Sequence, residues 1–450
     1  MTPIESYLRE YLPRVFQESD EYFPHPYITP TPRDGVYGGM LWDWDSLLCA
    51  YGYMAIEPER ATTALQGVIQ NILEHLGPAG NSVMALEAKI PHYGVMQSPP
   101  NHIGTIRPVV AQMAYRVSEQ RGEVSWLKPF WPSLKRLVEF YHRYRRFDDL
   151  YVWSSAWESL SDNNPALWGH PGFDVHACDM CAMVYQEFRA MAWLAQQLGD
   201  GEAAYDYSHW ARLLQQAVNA RLYDAPSESF FNRNHRTGEF LRRITYTNYG
   251  PFWGGIANPD YAHASFRRYL LNPEHMWSPH GIRTLSARDQ DYNLESTIAP
   301  SNWRGPVWFV ANYFTACALR RYGFIDEALT LAQRSLQMLN QNIEEYGFVS
   351  ENFHPETGKK AHGRRIRLLD EHSVKDGTGS SHWQRPVHTP RASSVNPSSA
   401  SMSLGVGILQ KLFCSIRRFD FHIAALESVD VFESALMDPP RKHKALSRED

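Results

Sequence analysis

Apolar residues recur every three or four positions along most of this chain, and the recurrences mark out helices. In Ala61–Leu76 the residues Leu65, Val68, Ile69, Ile72, Leu73 and Leu76 share one face, the spacing that buries one side of a helix. Ile325, Leu329, Ala332, Leu336 and Leu339 repeat it behind Asp326 and Glu327, an acidic start that the helix dipole favours. His176–Leu198 is apolar around much of its first half and stops at Gly199-Asp200-Gly201, so it is expected in an inner layer. Further helices are expected over Ile4–Glu18, Trp44–Met54, Ile106–Gln120, Ser133–Arg145, Glu202–Leu222, Tyr261–Leu271 and Pro306–Tyr322, with two weaker ones after Ser401.

One strand signal stands out, a hairpin of Ser229–Asn232 and Glu239–Leu241 around Arg236-Thr237-Gly238. Sequential helices without alternating strands exclude a parallel α/β sheet. The pattern therefore predicts a large all-α domain. If inner and outer helices pair and close on themselves, the result is an α/α toroid with its long loops at one mouth. Residues 362–401 break the pattern: they are rich in Ser, Arg and Pro and show no periodicity. The expected organisation is a helical catalytic domain over 1–361, an irregular segment over 362–401, closing helices over 402–438 and a loose tail over 439–450.

Charge and composition narrow the partners. The net charge of −5 argues against nucleic acid or an anionic membrane surface, which need basic faces. No apolar run reaches the length of a membrane span, and Met1–Ser6 does not read as a signal peptide. The cysteines are odd in number and scattered, Cys49, Cys178, Cys181, Cys317 and Cys414. That suits reduced thiols and a cytoplasmic location rather than a disulfide framework. The 14 Trp, 24 Tyr and 21 Phe are unusual. Most are expected in the core, but tryptophans within polar loops suit stacking on sugar rings.

Four stretches carry candidate chemistry. Trp42-Asp43-Trp44-Asp45 opens a helix and can present rings and carboxylates to a cleft, or merely cap the helix over buried tryptophans. Trp157–Pro165 sets Glu158 and Asp162 among turn-forming residues; the plain alternative is an Asx turn in which Asp162 bonds its own backbone. Asn302–Trp308 offers stacking rings, the Arg304 guanidinium and Gly305 for close approach. Glu351 begins a polar turn closed by Pro355–Gly358, which on its own reads as a surface hairpin. Cys178-Asp179-Met180-Cys181 has metal-like spacing but no second pair and no matching histidine, so no metal is expected. Two carboxylates far apart in sequence, each in an aromatic-flanked turn, suit glycosidic bond cleavage.

Jointly these stretches resemble the inverting (α/α)6-barrel glycosidases, and within them glycoside hydrolase family 63 and its mannosylglycerate-hydrolase-like branch. The resemblance rests on Trp42–Asp45, Trp157–Pro165, the intact Trp303-Arg304-Gly305-Pro306-Val307-Trp308, and Glu351–Gly358, in that order. It implies an (α/α)6 toroid, Asp162 as general acid and Glu351 as general base. Trp42, Trp44, Asp45, Arg107, Trp157, Glu158, Trp303, Arg304 and Trp308 are then expected to bind substrate. The implied reaction is inverting hydrolysis of an α-linked hexose, an α-glucoside or α-mannoside, with a glycerate conjugate or a short oligosaccharide among the candidates. The implied partner is a carbohydrate, and no cofactor is implied. An epimerase or lyase on the same toroid and an inactive sugar-binding homologue are the rivals.

Three departures from the family pattern bear on this. Arg107-Pro108-Val109 stands where the family usually has Gln-Pro-Pro, which puts a cation in place of an amide; together with Arg304 it would favour an anionic leaving group, and a structural role for Arg107 is the alternative. Leu160 replaces a usual glycine before the acid. After Gly358 the family's closing segment is not recognisable in 362–401.

Overall fold

The computed structural model describes residues 3–32, 40–82, 85–87, 105–295 and 301–361. Its helices are α1 (Pro3–Val15), α2 (Asp43–Tyr53), α3 (Pro58–Glu74), α4 (Val110–Arg121), α5 (Trp131–Tyr144), α6 (Cys178–Leu198), α7 (Gly201–Arg221), α8 (Gly250–Trp253), α9 (Ala262–Ser265), α10 (Phe309–Arg321) and α11 (Ile325–Tyr346). The even-numbered helices α2, α4, α6, α8 and α10 touch one another in sequence and form an inner ring. Outer partners pack behind them, as α3 does on α2, α7 on α6 and α11 on α10, while α1 lies against α11. This is the arrangement of a toroid built from helical hairpins. The expected segments 362–401, 402–438 and 439–450 lie outside the described residues.

Burial follows the sequence patterns. The α3 stripe Leu65, Val68, Ile69, Ile72 and Leu73 is almost fully buried. Helix α6, apolar on most sides, is packed between α4, α7 and α8, as an inner helix must be. Its end is fixed by Gly199 in the left-handed region (φ 81°), where a side chain is disfavoured. Asp200 then caps α7 by accepting from the Ala203 N–H at 3.2 Å, and it also accepts from Trp131 Nε1 at 2.9 Å and Lys135 Nζ at 3.0 Å on α5. One acidic residue thus ties α5, α6 and α7 together; losing such a cap costs about 1 kcal/mol. Glu187 of α6 does the same between inner helices, accepting from the Ala111 and Gln112 N–H groups at 3.1 Å in the first turn of α4.

Some boundaries differ from expectation. Helix α4 begins at Val110, not Ile106, because Ile106 donates to Ser82 O (3.0 Å) and the Arg107 N–H to Asp43 (2.8 Å). Helix α10 begins at Phe309, not Pro306, because Val307 exchanges both backbone bonds with Phe353 (2.8 and 2.9 Å). The hairpin is Asn232–Asn234 against Phe240–Leu241; Ser229–Phe230 pairs instead with Tyr223–Asp224. Asn232–Asn234 also pairs with Val175–His176 and so braces the lead-in to α6. The described strands are all two or three residues long, stitching loops rather than forming a layer.

Candidate active site

The chain enters α2 from an extended Trp42, so Asp43 and Asp45 sit in the first turn. Asp43 is fully buried and pairs with Arg107, Nη1 lying 3.0 Å from Oδ1. The remaining Arg107 donors go to backbone carbonyls: Nε to Ser159 at 3.1 Å, and Nη2 to Ser159 at 3.0 Å and Trp157 at 3.3 Å. The guanidinium also lies 4.9 Å from the buried Trp44 ring. Its donors are committed to Asp43 and to the turn that carries Asp162.

That turn is built by its small polar residues. After a short 3-10 turn over Ala156–Glu158, the Ser159 hydroxyl donates to Ala156 O at 2.7 Å and accepts from the Ser161 N–H at 3.1 Å. Asn164, not Asp162, makes the Asx turn, accepting from the Ala166 N–H at 2.9 Å. Leu160, where the resemblance expects glycine, does not have a positive φ, so its backbone has no need of one. Its carbonyl accepts from Tyr246 Oη at 2.6 Å.

Glu158 is buried. Its carboxylate accepts from the Thr105 N–H (3.0 Å), the Ser154 N–H (2.6 Å) and Arg145 Nη2 (3.2 Å), and both side chains of the ion pair are fully buried. These contacts brace the turn. Trp157 is 38% exposed and meets Trp168 edge-on at 5.9 Å.

The loop Ser301–Trp308 closes over the turn. The Trp303 N–H donates to Asn163 Oδ1 at 2.8 Å, and Arg304 Nε to Asn163 O at 3.0 Å. Trp303 stacks on Trp308 at 3.8 Å and on Tyr246 at 5.7 Å. Gly305 is required here: at φ 141° a Cβ would lie 2.7 Å from the Tyr292 ring. Ser301 Oγ donates to Asp162 Oδ2 and accepts from Trp303 Nε1 at 3.2 Å. Two residues beyond half-buried Glu351, Phe353 bridges to Val307 of this same loop. Three stretches distant in sequence thus meet through the loop Ser301–Trp308.

Asp45 and Asp162 are both half-buried. Burial is the main cause that pushes Asp162 above the usual carboxylate range, while the bond from Ser301 and the charge of Arg107 hold it down. Asp45 is pushed up to about 7, mostly by burial, then by the charge of Asp43; Arg107 opposes this and Asp162 adds to it. Two aspartates that resist ionisation thus lie within electrostatic reach of one arginine, a setting suited to holding a transferable proton. Among the described residues no group of acidic, histidine and cysteine side chains could hold a metal ion. Cys178 and Cys181 are buried in α6, with Cys181 accepting from the Tyr151 N–H at 3.3 Å.

The sequence patterns give no individual role to Ser301, Asn163, Asn302 or Tyr246. Asn163 was visible only as turn chemistry. Asn302 reveals itself by caging the loop, accepting from the Arg304 N–H at 3.0 Å and, through its carbonyl, from Trp308 Nε1 at 2.8 Å. Nothing in spacing singles out Ser301 or Tyr246, which act across 139 and 86 residues.

Residues 39–367 match the mannosylglycerate hydrolase MGH1-like glycoside hydrolase domain. The chain belongs to this family. It is a glycosidase. The mannosylglycerate hydrolase of Rubrobacter radiotolerans is 24% identical, the match covering 74% of this chain and 88% of that one. Mannosylglycerate hydrolase MGH1 of Selaginella moellendorffii is 22% identical over 74% of this chain and 78% of its own. Among solved structures, the family 63 mannosylglycerate hydrolase from Thermus thermophilus, in complex with Tris and D-glycerate, superposes with a TM-score of 0.65 at 18% identity. That match covers 91% of this chain and all of the other. The neutral trehalase Nth1 of Saccharomyces cerevisiae reaches a TM-score of 0.55 at 16% identity over 80% of this chain and 76% of its own. The fold is thus the (α/α)6 toroid, as the helical pattern and the motifs led one to expect. No described helix is long and apolar enough to cross a membrane.

Proposed function

We propose that this glycosidase hydrolyses an α-linked hexose with inversion, Asp162 acting as general acid and Glu351 as general base. The observation that carries the reading is the convergence on the Ser301–Trp308 loop. Asn163 holds the Trp303–Arg304 backbone, and Val307 of the same loop pairs with Phe353. The segments bearing the two carboxyls therefore flank one loop although 189 residues (351 − 162) separate them. Inversion needs one carboxyl protonated to serve the leaving oxygen and a second, ionised, across the ring to take a proton from water. Burial keeps Asp162 suited to the first role.

The relatives' names favour a mannosyl group on glycerate. Arg107 is engaged in the floor, so the cation assigned to a glycerate carboxylate is Arg304. Its Nε holds Asn163 O, and its Nη1 lies 3.8 Å from Asp291, a longer reach than an optimal ion pair. Half-buried Trp42, Asp45 and exposed Trp157 line the sugar side of this reading.

The test is turnover of mannosylglycerate, glucosylglycerate and a neutral methyl α-mannoside, with the first product followed by proton NMR. The expected product is the β-anomer, and Asp162→Asn and Glu351→Gln should fold yet lose nearly all turnover. Release of the α-anomer first, or full activity in either variant, overturns the assignment. Equal efficiency on the methyl glycoside would remove glycerate from the reading while leaving the chemistry.

A further inference from the structure

The acid in this reading is not free to place its proton on either oxygen. Asp162 Oδ2 is met by Ser301 Oγ, and Ser301 Oγ is met by Trp303 Nε1 at 3.2 Å. An indole N–H can only donate, so the serine oxygen accepts from Trp303. A serine hydroxyl has one hydrogen, and among the described contacts its acceptor is Asp162. The direction of the chain is therefore fixed: Trp303 to Ser301 to Asp162. Trp303 is itself held by stacking on Trp308 and Tyr246 and by its backbone bond to Asn163.

We propose that Ser301, oriented by the Trp303 indole, is a positioning residue that confines the transferable proton to Oδ1 of Asp162 and takes up the charge left on the carboxylate. The proposal rests on Asp162 being the general acid. In the step, the Oδ1–H bond breaks and its electron pair stays on Asp162. The proton goes to the glycosidic oxygen, which keeps the electron pair of the breaking bond to the anomeric carbon. The new negative charge spreads to Oδ2, where the serine hydroxyl already points. A bond to an ionised oxygen is stronger than one to a neutral carboxyl, so the serine helps more after proton transfer than before it. That difference is what accelerates a step.

The groups facing Asp162 come from three directions. Arg107 lies in the segment before α4, Asp45 at the start of α2, and Tyr246 behind the turn; each is within electrostatic reach of Asp162. Asp43 is neutralised by Arg107. Ser301 is the hydroxyl that bonds the carboxyl directly, and its loss should raise the pH at which Asp162 gives up its proton.

The experiment is Ser301→Ala in the full chain, assayed on mannosylglycerate and on α-mannosyl fluoride, whose leaving group needs little help from an acid. The alkaline limb of the kcat/KM profile should move up by about one pH unit, and kcat on mannosylglycerate should fall roughly 10- to 100-fold. The loss on the fluoride should stay within about threefold, since proton donation no longer limits it. Trp303→Phe, which keeps a stacking ring but removes the N–H, should move the limb the same way by less. Ser301→Thr should restore most of the wild-type profile. An unmoved limb with equal losses on both substrates overturns the proposal. If Ser301→Ala does not fold, Ser301→Cys keeps the volume and a weak donor, and the same two readouts decide. Asp162→Asn separates the two claims: full turnover of mannosylglycerate there removes the acid assignment itself. A dead Asp162→Asn with an unmoved limb in Ser301→Ala removes only the serine's role.

Discussion

Three hydrogen bonds join Asp43 and Arg107: the guanidinium Nη1 donates to Oδ1 at 3.0 Å and to Oδ2 at 3.2 Å, and the Arg107 backbone N–H donates to Oδ2 at 2.8 Å. The pair joins the start of α2 to the approach to α4, and the same guanidinium holds the carbonyls of Trp157 and Ser159. Arg107→Gln restores the amide of the family pattern but leaves Asp43 buried with one partner fewer. Removing one member of a buried pair costs about 3–5 kcal/mol, so the variant should melt well below wild type. Its residual activity should fall to the same extent on anionic and neutral substrates. A selective loss on mannosylglycerate would instead show Arg107 reaching the leaving group.

The tryptophans divide by burial. Trp303 and Trp308 are 4% and 6% exposed and stack at 3.8 Å, whereas Trp42 is only half-buried. Trp308→Ala should therefore destabilise the protein by about 3–5 kcal/mol, the cost of emptying a large aromatic site. Trp42→Ala should raise KM with little change in the melting temperature. Thermal melts paired with Michaelis kinetics check both. A stable Trp308→Ala with a raised KM would return Trp308 to the sugar pocket.

Glu158 and Arg145 give a third contrast. Both side chains are fully buried, and Glu158 also satisfies the N–H groups of Thr105 and Ser154. Glu158→Gln keeps the shape but takes from Arg145 the counter-charge of Glu158, again a loss of about 3–5 kcal/mol. Below its lowered melting temperature the variant should bind substrate with an unchanged KM. A changed KM at wild-type stability would place the carboxylate against sugar.

These contrasts trace what was legible in the sequence. Helical periodicity located α3, α6, α7 and α11 because their stripes are complete, and the order of the motifs pointed to the toroid. The start of α4 was hidden because Ile106–Val109 looks apolar enough to be helical, yet the N–H groups of Ile106 and Arg107 are claimed by Ser82 and Asp43. Pro306 suits a first helical turn, but Val307 pairs with Phe353 first. Motifs show which residues cluster along the chain, not which way a side chain turns. Glu158 and Asp162 share one short segment, and one braces the core while the other meets Ser301. Partners such as Ser301 and Tyr246 come from remote loops, so only the fold reveals them.

Burial pushes Asp45 up to about 7, Glu187 to about 7 and Asp179 to about 6, in each case as the leading cause. A carboxyl whose value is raised by folding binds its proton more tightly in the native state than in the unfolded chain. Stability then falls as pH rises from the unfolded carboxylate range, near 4, through the folded value. Paired acids act in the opposite sense. Asp200, Asp224 and Asp291 are lowered first by side-chain hydrogen bonds, from Trp131 and Lys135, from Arg242 and from Arg243 respectively. Their stabilisation is lost only as pH drops below about 4. The raised group therefore governs the neutral side. Asp45→Asn removes one raised group without removing a bulky side chain. Its melting temperature relative to wild type should be nearly constant below about pH 4, climb between about pH 4 and 7, and level off above that. Differential scanning calorimetry across that range checks it. A constant offset, or a wild type that gains on the variant as pH rises, would mean that Asp45 is ionised and well solvated at neutral pH, and would remove it from the pair of proton-holding aspartates beside Arg107.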